Sequence, residues 1–339
     1  MKLVFHLGDF RTGSTAIQSV LCRFGAEQGL FYPPGFNHAA LAQSLSDPGV
    51  RDAAFSALAG QLAETDLPQA VISAEHFEFT DPADLARALD THLPDHEARL
   101  IAYVRPHGPA FLARYAESVK IGNFDGRPGD YLNQPQTRWR LSYAARFGRW
   151  RNTFGDRFDL RLYDRAAFPG ASVLRDFLKA VTGRDPGDLP TADPNPNPSP
   201  GLKGLAMARA LHRAIGPLPD DATHAAARWT IGRHLGRLIA AEGRPDTPLA
   251  LNRPLAGRIV ARFAADAMAT DTAFFGPATP LSDALAGLEE GAPVRAQSHE
   301  PADHLGPDAR AALALWGKML RHGLTAPGGA ALLNGLYHE

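Results

Sequence analysis

A short apolar strand that runs straight into a glycine-bracketed polar turn constrains this chain more than any other feature. Residues 3–7 read Leu-Val-Phe-His-Leu, and a polar segment bracketed by glycines follows at 8–13. Ser14 and Thr15 then open an amphipathic helical pattern. Glycine permits the tight turn, and the unpaired N–H groups and dipole of a helix N-terminus attract an anion. The segment therefore predicts a phosphate- or sulfate-binding loop with Arg11 as its cation.

The glycine spacing also matches the first half of a P-loop. Ser14, however, stands where that motif carries its lysine. That lysine reaches the terminal phosphates of a nucleoside triphosphate, so the sequence disfavours a mononucleotide kinase or ATPase.

Strand-like and helical segments alternate along the first half of the chain. Strands are predicted at Leu3–Leu7, Ala70–Ala74, Leu100–Val104 and Phe158–Tyr163, and helices at Ser14–Glu27, Asp52–Glu64, Asp81–Leu93, Pro109–Ile121 and Trp139–Phe154. This alternation predicts an α/β fold with a central parallel β-sheet flanked by helices, in three layers like those of P-loop NTPases. Ligands of such sheets bind beyond the carboxyl ends of the strands.

Proline and alanine content changes along the chain and predicts its division. We expect an α/β core over 1–185, a proline-rich linker over 186–200, a helical C-terminal part packing on the core over 201–280, and a linker with a terminal helix over 281–339. The predicted later helices are Leu202–Ala214, Ala222–Ala241, Leu255–Ala269 and Ala309–His322, with a loop from Leu281 to Pro307.

Composition narrows the class of protein. The chain has 339 residues, 45% of them hydrophobic, and a formal net charge of −1, so no global field favours nucleic acid or an anionic membrane. The single cysteine, Cys22, excludes an intramolecular disulfide, and Pro94 interrupts the helical spacing of His92 and His96 as metal ligands. Neither a signal peptide nor a membrane span is predicted, and we expect a cytoplasmic protein without a metal. The oligomeric state is left open.

The opening segment reads His6-Leu7-Gly8 and then Arg11-Thr12-Gly13-Ser14-Thr15. It resembles the bacterial branch of the sulfotransferases that use 3′-phosphoadenosine 5′-phosphosulfate (PAPS). The resemblance implies that Arg11, Thr12, Gly13, Ser14 and Thr15 hold the 5′-phosphosulfate of this cosubstrate. It also implies that Arg11 stabilises the bridging oxygen as the sulfuryl group leaves.

A second matching segment ends the strand at 100–104 with Arg105. The resemblance implies that this arginine binds the 3′-phosphate of PAPS together with a serine eight residues later. Ala113 stands at that position, and the neighbouring Arg114 is a candidate substitute. Tyr115, Lys120 and Gly122 match the family's continuation.

A third segment ends an apolar strand with Glu75 and His76. Sulfuryl transfer to a hydroxyl needs a base that takes the proton, and glutamate and histidine can both serve. The resemblance favours Glu75 over His76. It also implies direct in-line transfer without a metal or a covalent intermediate.

The remaining matches are shorter. Residues 122–138 are predicted to form a lid over the acceptor or a flexible surface loop, and Tyr131, Gln134, Gln136 and Arg138 are candidate ligands of a sugar or phosphate group. Asn197-Pro198-Ser199-Pro200 and Lys203 resemble a segment that returns toward the nucleotide, and 262–266 and 274–277 resemble the family's last helix and Phe-Gly ending.

The sequence thus predicts a PAPS-dependent sulfotransferase that acts on a hydroxyl, with a carbohydrate as the expected acceptor. Two alternatives stay open. One is a nucleotide or sugar kinase, which needs ATP and Mg²⁺. The other is a catalytically silent nucleotide- or glycan-binding homologue, which the alanine at 113 keeps in consideration.

Overall fold

The computed structural model describes residues 1–9, 11–187, 200–243 and 245–335, which form two compact units. The first unit consists of Met1–His107, Ser142–Pro196 and Phe263–Leu285, and the second of Gly108–Leu141, Asn197–Arg262 and Ala286–Glu339. Most of the predicted linker at 186–200 lies outside the described residues.

The first unit is built on a five-stranded parallel sheet. Its strands are β1 (Lys2–Leu7), β2 (Leu30–Phe31), β3 (Gln69–Ala74), β4 (Glu97–Val104) and β5 (Phe158–Leu162), in the order β2-β3-β1-β4-β5. The predicted α/β class with a central parallel sheet is confirmed. The sequence did not predict β2, because two residues are too few to show a periodic pattern.

The helices follow in chain order. They are α1 (Ser14–Phe24), α2 (Ala39–Ser44), α3 (Pro48–Ala63), α4 (Pro82–His92), α5 (His107–Lys120), α6 (Pro128–Tyr131), α7 (Pro135–Arg140), α8 (Tyr143–Phe154), α9 (Val173–Thr182), α10 (Leu202–Ile215), α11 (Ala222–Ala241), α12 (Arg253–Phe274), α13 (Pro280–Ala286), α14 (Pro307–Thr325) and α15 (Gly329–Gly335). None of the helices in the described part of the chain combines the length and the apolar character needed to cross a membrane.

Two of the sequence predictions for local structure need correction. The predicted helix Trp139–Phe154 is interrupted, and α8 begins only at Tyr143 because the carboxylate of Asp266 accepts hydrogen bonds from the N–H groups of Tyr143 (2.8 Å) and Ala144 (3.0 Å). The predicted loop Leu281–Pro307 contains most of α13 and a 3₁₀ turn at Pro301–Asp303. Both corrections concern short segments, whose ends depend on contacts that a sequence pattern does not show.

The central position of β1 follows from its composition. Leu3, Val4 and Phe5 are almost completely buried, and the strand pairs with β3 on one side and β4 on the other. Because parallel strands in the middle of a sheet are covered on both faces, they need continuous apolar runs rather than alternating ones. The carboxyl ends of β1, β3 and β4 therefore lie side by side at one edge.

The loop that follows β1 is anchored by a buried polar contact beneath it. His6 is fully buried, and its Nδ1 lies 2.8 Å from the hydroxyl of Ser73 on β3, which also accepts a hydrogen bond from Gln18 of α1 at 3.2 Å. Burial lowers the pKa of His6 to about 3, so the ring is neutral near pH 7. His6 thus connects β1 to β3, and Ser73 connects β3 to α1 through Gln18.

The second unit is helical. Its core contains Ala206, Leu211, Ile215, Ala227, Ile231, Leu313 and Leu324 from α10, α11 and α14. Glycines allow close approach between these helices, since a Cβ on Gly317 would lie 2.4 Å from the Cβ of Ala214. Residues 108–141 belong to this unit together with the later helices, so it is not formed by the C-terminal part of the chain alone.

Candidate active site

The loop between β1 and α1 presents the N-terminus of α1 without a side-chain cap. Gly13 occupies the N-cap position with φ of 86°, and Arg11 also has a positive φ, of 70°. The Thr12 hydroxyl donates to the carbonyl of Asp9 at 2.6 Å, which folds the loop back on itself. Among the described residues, the N–H groups of Ser14 and Thr15 have no acceptor. They remain available to an anion.

A second polar group at the same helix N-terminus is the hydroxyl of Ser14. Ser14 is 2% exposed, and its Oγ has no hydrogen-bond partner within the described chain. A hydroxyl at a helix N-terminus can donate to an anion that the N–H groups of the same turn bind. The sequence predicted the loop and its hydroxyl, and the structure adds that this hydroxyl lacks a partner.

Glu75 lies directly against this loop. A Cβ on Gly8 would lie 2.6 Å from Oγ of Ser14 and 2.7 Å from Cγ of Glu75, so only glycine fits between these two side chains. Glu75 begins the 3₁₀ turn Glu75–Phe79 that follows β3, and it is half-buried. The predicted base therefore lies next to the predicted anion-binding loop at residues 8–13 (the anion loop).

His76 follows Glu75 on the same turn. It is half-buried, and burial lowers its pKa below the ordinary value for histidine. Near pH 7 its ring is therefore neutral and able to accept a proton. The structure thus leaves both predicted candidates at the same edge of the sheet.

Two arginines, Arg105 and Arg165, contact one aromatic ring at this edge, and Arg11 lies near enough to affect Arg105. Cζ of Arg105 lies 4.6 Å from the centre of the Tyr163 ring, and Nε of Arg165 donates to the Tyr163 hydroxyl at 3.3 Å. Burial lowers the pKa of Arg105, and so do the positive charges of Arg11 and Arg165, while Tyr163 opposes the shift. Within the described residues, neither Arg105 nor Arg165 has an acidic ion-pair partner. The cluster therefore carries excess positive charge.

Tyr163 also connects this cluster to the loop. A Cβ on Gly13 would lie 3.4 Å from Cε2 of Tyr163 and 2.7 Å from Cγ1 of Val173. The ring thus packs against the loop glycine on one side and under the Arg105 guanidinium on the other. The sequence analysis predicted Arg11 and Arg105 but not Arg165, because a cation in an irregular segment after β5 carries no pattern.

A buried ion cluster connects the anion loop to the Glu75–Phe79 turn. Arg146 of α8 is 1% exposed and lies 3.0 Å from a carboxylate oxygen of Asp9 and 2.8 Å from one of Glu78. Burial would lower the pKa of Arg146, but the two carboxylates outweigh burial and raise it, so the guanidinium stays charged. Both acids are 2% exposed. Arg146 therefore ties the anion loop to the turn that carries Glu75.

The same helix also contacts the end of β4. The Tyr143 hydroxyl donates to the carbonyl of Arg105 at 2.9 Å. Tyr143 and Arg146 are three residues apart and so lie on one face of α8. Through these two residues, α8 contacts the anion loop, the Glu75–Phe79 turn and the end of β4. The sequence analysis missed this role, since Asp9 and Arg146 are 137 residues apart in the chain.

The other predicted residues are distributed as follows. Ala113 and Arg114 lie on the part of α5 that belongs to the second unit, where Arg114 is buried and its carbonyl accepts from the Tyr131 hydroxyl at 3.4 Å. Gln134, Gln136 and Arg138 are exposed residues of the second unit, and residues 122–138 contain the short helices α6 and α7. Asn197, Pro198 and Ser199 lie outside the described residues.

The positive φ of Gly13 leads to a testable result. Gly13→Ala should lower the free energy of unfolding by about 1–3 kcal/mol, because alanine disfavours φ of 86° and its Cβ would press on Val173. Chemical denaturation measures this change. The matched control is Gly60→Ala within α3, where a Cβ meets no atom within 4 Å and should stabilise the helix by about 0.5–1 kcal/mol. Equal effects of the two substitutions would contradict the strained geometry at Gly13.

No protein-family model matches this chain, and neither curated proteins nor solved structures give a significant match. Among the described residues there is also no group of three or more His, Cys, Asp or Glu side chains arranged to hold a metal ion. The function is therefore inferred from the geometry of the loop, the Glu75–Phe79 turn and the arginine cluster.

Proposed function

We propose that the first unit binds PAPS and transfers its sulfuryl group to an acceptor hydroxyl, with a carbohydrate as the acceptor class. The observation that carries this proposal is the contact of Glu75 with the anion loop. A Cβ on Gly8 would touch both Glu75 and Ser14, so a carboxylate lies next to the unpartnered donors of the helix N-terminus. A loop that only bound an anion would gain nothing from a neighbouring negative charge. A loop that transfers a group to a hydroxyl needs a base there.

The donor groups of the loop suit a phosphosulfate. The N–H groups of Ser14 and Thr15, the buried Ser14 hydroxyl and the Arg11 guanidinium would hold the 5′ end of PAPS. The arrangement lacks the lysine with which a P-loop contacts a nucleoside triphosphate. This supports a sulfuryl donor over ATP.

The arginine cluster suits a second anionic group on the same ligand. Arg105 and Arg165 flank Tyr163, and they would bind the 3′-phosphate of PAPS. The serine that the resemblance leads one to expect at 113 is alanine, and Arg165 supplies a donor beside Arg105 that does not depend on it. Two separate anion sites favour PAPS over a ligand with one phosphate chain.

Proton removal and stabilisation of the leaving group would be carried out by different residues of the site. PAPS supplies an activated sulfuryl group whose sulfur–oxygen bond to the 5′-phosphate breaks during transfer. Glu75 takes the proton of the acceptor hydroxyl as that oxygen forms its new bond to sulfur. Arg11 and the loop N–H groups stabilise the negative charge that the leaving phosphate oxygen gains. His76 is the alternative base on the same turn.

Calorimetric titration tests the binding step. The protein should bind 3′-phosphoadenosine 5′-phosphate at least tenfold more tightly than ADP with Mg²⁺, because the adenosine diphosphate lacks the 3′-phosphate that Arg105 and Arg165 would hold. Arg105→Gln should weaken the binding at least tenfold, and the exposed Arg87→Gln of α4 should leave it unchanged. If the protein does not bind 3′-phosphoadenosine 5′-phosphate, the proposal is wrong. Tighter binding of ADP with Mg²⁺ would also overturn the proposal and would favour a kinase. Binding without turnover over a broad set of acceptors would favour the silent homologue.

A further inference from the structure

One carboxylate of α12 accepts hydrogen bonds from two segments that are distant from each other in the chain. Asp266 lies in the part of α12 that belongs to the first unit, and its side chain is 15% exposed. It accepts from the N–H groups of Tyr143 at 2.8 Å and Ala144 at 3.0 Å. Nε2 of His107 lies 3.2 Å from the same carboxylate, and this nitrogen donates because a carboxylate can only accept. Asp266 thus connects the start of α8 to the start of α5.

His107 gives Asp266 a connection to the end of β4. The histidine is fully buried, and its ring packs between the rings of Tyr143 and Phe263, with 4.4 Å and 5.1 Å between ring centres. Phe263 lies on α12 three residues before Asp266, so one helix contacts both a face and an edge of the imidazole. His107 follows Arg105 by two residues. The position of the imidazole therefore restricts the backbone that carries Arg105.

Tyr143 gives Asp266 a second connection to Arg105. Its N–H donates to Asp266, and its hydroxyl donates to the carbonyl of Arg105 at 2.9 Å. Two sets of contacts, one through Tyr143 and one through His107, therefore join the carboxylate to the backbone of this arginine. A displacement of about 1 Å in a group that meets a ligand can cost a large factor in binding or rate. The position of Asp266 is thus expected to matter for an anion at Arg105.

A second carboxylate of α12 has the helix-capping contacts of Asp266 without the connection to Arg105. Asp271 is 1% exposed and accepts from the N–H groups of Leu281 (3.1 Å) and Ser282 (2.8 Å) in the first turn of α13. Both acids therefore satisfy two N–H groups at the start of a helix, which stabilises that helix. Helix capping explains Asp271 completely, but it does not explain the contact of Asp266 with His107.

We propose that Asp266 is a positioning residue that holds Arg105 in place for an anionic ligand. It acts through His107 and Tyr143, which fix the backbone of Arg105, and it does not touch the ligand itself. The inference rests on the proposed function, in which Arg105 binds the 3′-phosphate of PAPS. Asp266 then sets the preference of the protein for a nucleotide that carries a 3′-phosphate.

Calorimetry with 3′-phosphoadenosine 5′-phosphate and adenosine 5′-phosphate tests this role. The two probes differ only in the 3′-phosphate, so the ratio of their affinities measures binding of that group. Asp266→Ala should lower the ratio at least about fivefold and change the affinity for adenosine 5′-phosphate by less than about twofold. Asp266→Asn keeps one oxygen that accepts hydrogen bonds, so its ratio should lie between those of Asp266→Ala and the unsubstituted protein.

Asp271→Ala is the matched control, because it removes a carboxylate that caps a helix from the same face of the chain's chemistry but at α13. It should lower the midpoint of chemical denaturation, as Asp266→Ala does, and leave the affinity ratio within about twofold of the unsubstituted protein. A double variant tests the route through Arg105. In Arg105→Gln the ratio is already low, and adding Asp266→Ala should not lower it further. A further fall would show that Asp266 acts independently of Arg105 and would overturn the inference.

The outcomes separate this inference from the proposed function. If the unsubstituted protein does not prefer the probe with the 3′-phosphate, both are wrong. If it has that preference and Asp266→Ala retains it, or Asp271→Ala loses it equally, the positioning role alone is wrong.

Tyr143→Phe provides the test if Asp266→Ala does not fold. It removes the hydroxyl that contacts the Arg105 carbonyl and keeps the aromatic ring beside His107. The affinity ratio should fall at least about threefold in this variant. An unchanged ratio would overturn the inference.

Discussion

Replacement of Arg146 by methionine should lower the free energy of unfolding of the first unit by about 3–5 kcal/mol. The substitution removes a buried guanidinium that pairs with both Asp9 and Glu78, and both carboxylates are 2% exposed. The two buried carboxylates would then lose a positive charge that an apolar methionine cannot replace. Chemical denaturation measures the loss.

A set of related variants separates charge from packing. Arg149→Met removes an exposed arginine of the same helix that donates one hydrogen bond to the Thr80 carbonyl, and it should cost no more than about 1 kcal/mol. Arg146→Met combined with Asp9→Asn and Glu78→Gln should be more stable than Arg146→Met alone, because both carboxylates are neutralised together with the guanidinium. If the triple variant were the less stable, the cost would come from packing and not from uncompensated charge.

We expect Arg146→Met to weaken ligand binding at the candidate site as well. Arg146 joins the anion loop through Asp9 and the Glu75–Phe79 turn through Glu78, so Arg146→Met should weaken binding of 3′-phosphoadenosine 5′-phosphate even under conditions where the protein remains folded. Unchanged affinity in a destabilised variant would show that Arg146 supports the fold without setting the geometry of the loop.

Substitution of Glu75 by glutamine should reduce turnover by about 10²–10⁴-fold. Glutamine keeps the shape of the side chain beside Gly8 and Ser14 but cannot take a proton from an acceptor hydroxyl. Affinity for 3′-phosphoadenosine 5′-phosphate should stay within about threefold, since the loop donors are untouched. Release of this product from PAPS, with a panel of neutral and acidic oligosaccharides as acceptors, measures turnover.

Two further variants assign the base. Glu64→Gln changes an exposed glutamate at the end of α3 and should leave turnover unchanged. If His76→Ala abolished turnover while Glu75→Gln retained it, the neighbouring histidine would be the base. Full turnover in both variants would show that neither Glu75 nor His76 acts as the base.

Local sequence patterns predicted much of the first unit. The apolar runs that became β1, β3, β4 and β5 were found within a few residues of their observed ends. The helix starts at Ser14 and after Asp81 were also close, because local residues mark them: the positive-φ Gly13 precedes α1, and the capping Asp81 and Pro82 begin α4. The tight loop before α1 was predicted for the same reason, since its glycines act within one short segment.

The order of the sheet and the supports of the site depended on residues far apart in the chain. Arg146 meets Asp9 and Glu78 across 137 and 68 residues, and Arg165 joins Arg105 only because β5 lies beside β4. The inclusion of residues 108–141 in the second unit was likewise not visible in the composition.

The sequence by itself determined an α/β chain whose first strand runs into a glycine-bracketed loop at a helix N-terminus. The periodicity of side chains and the conformational freedom of glycine are local properties, and they set both features. Only the tertiary structure decided that a carboxylate lies against that loop and that one helix holds the loop, the Glu75–Phe79 turn and the end of β4 together. Those contacts form when burial brings distant segments together, and the strength of a buried charge pair depends on that burial.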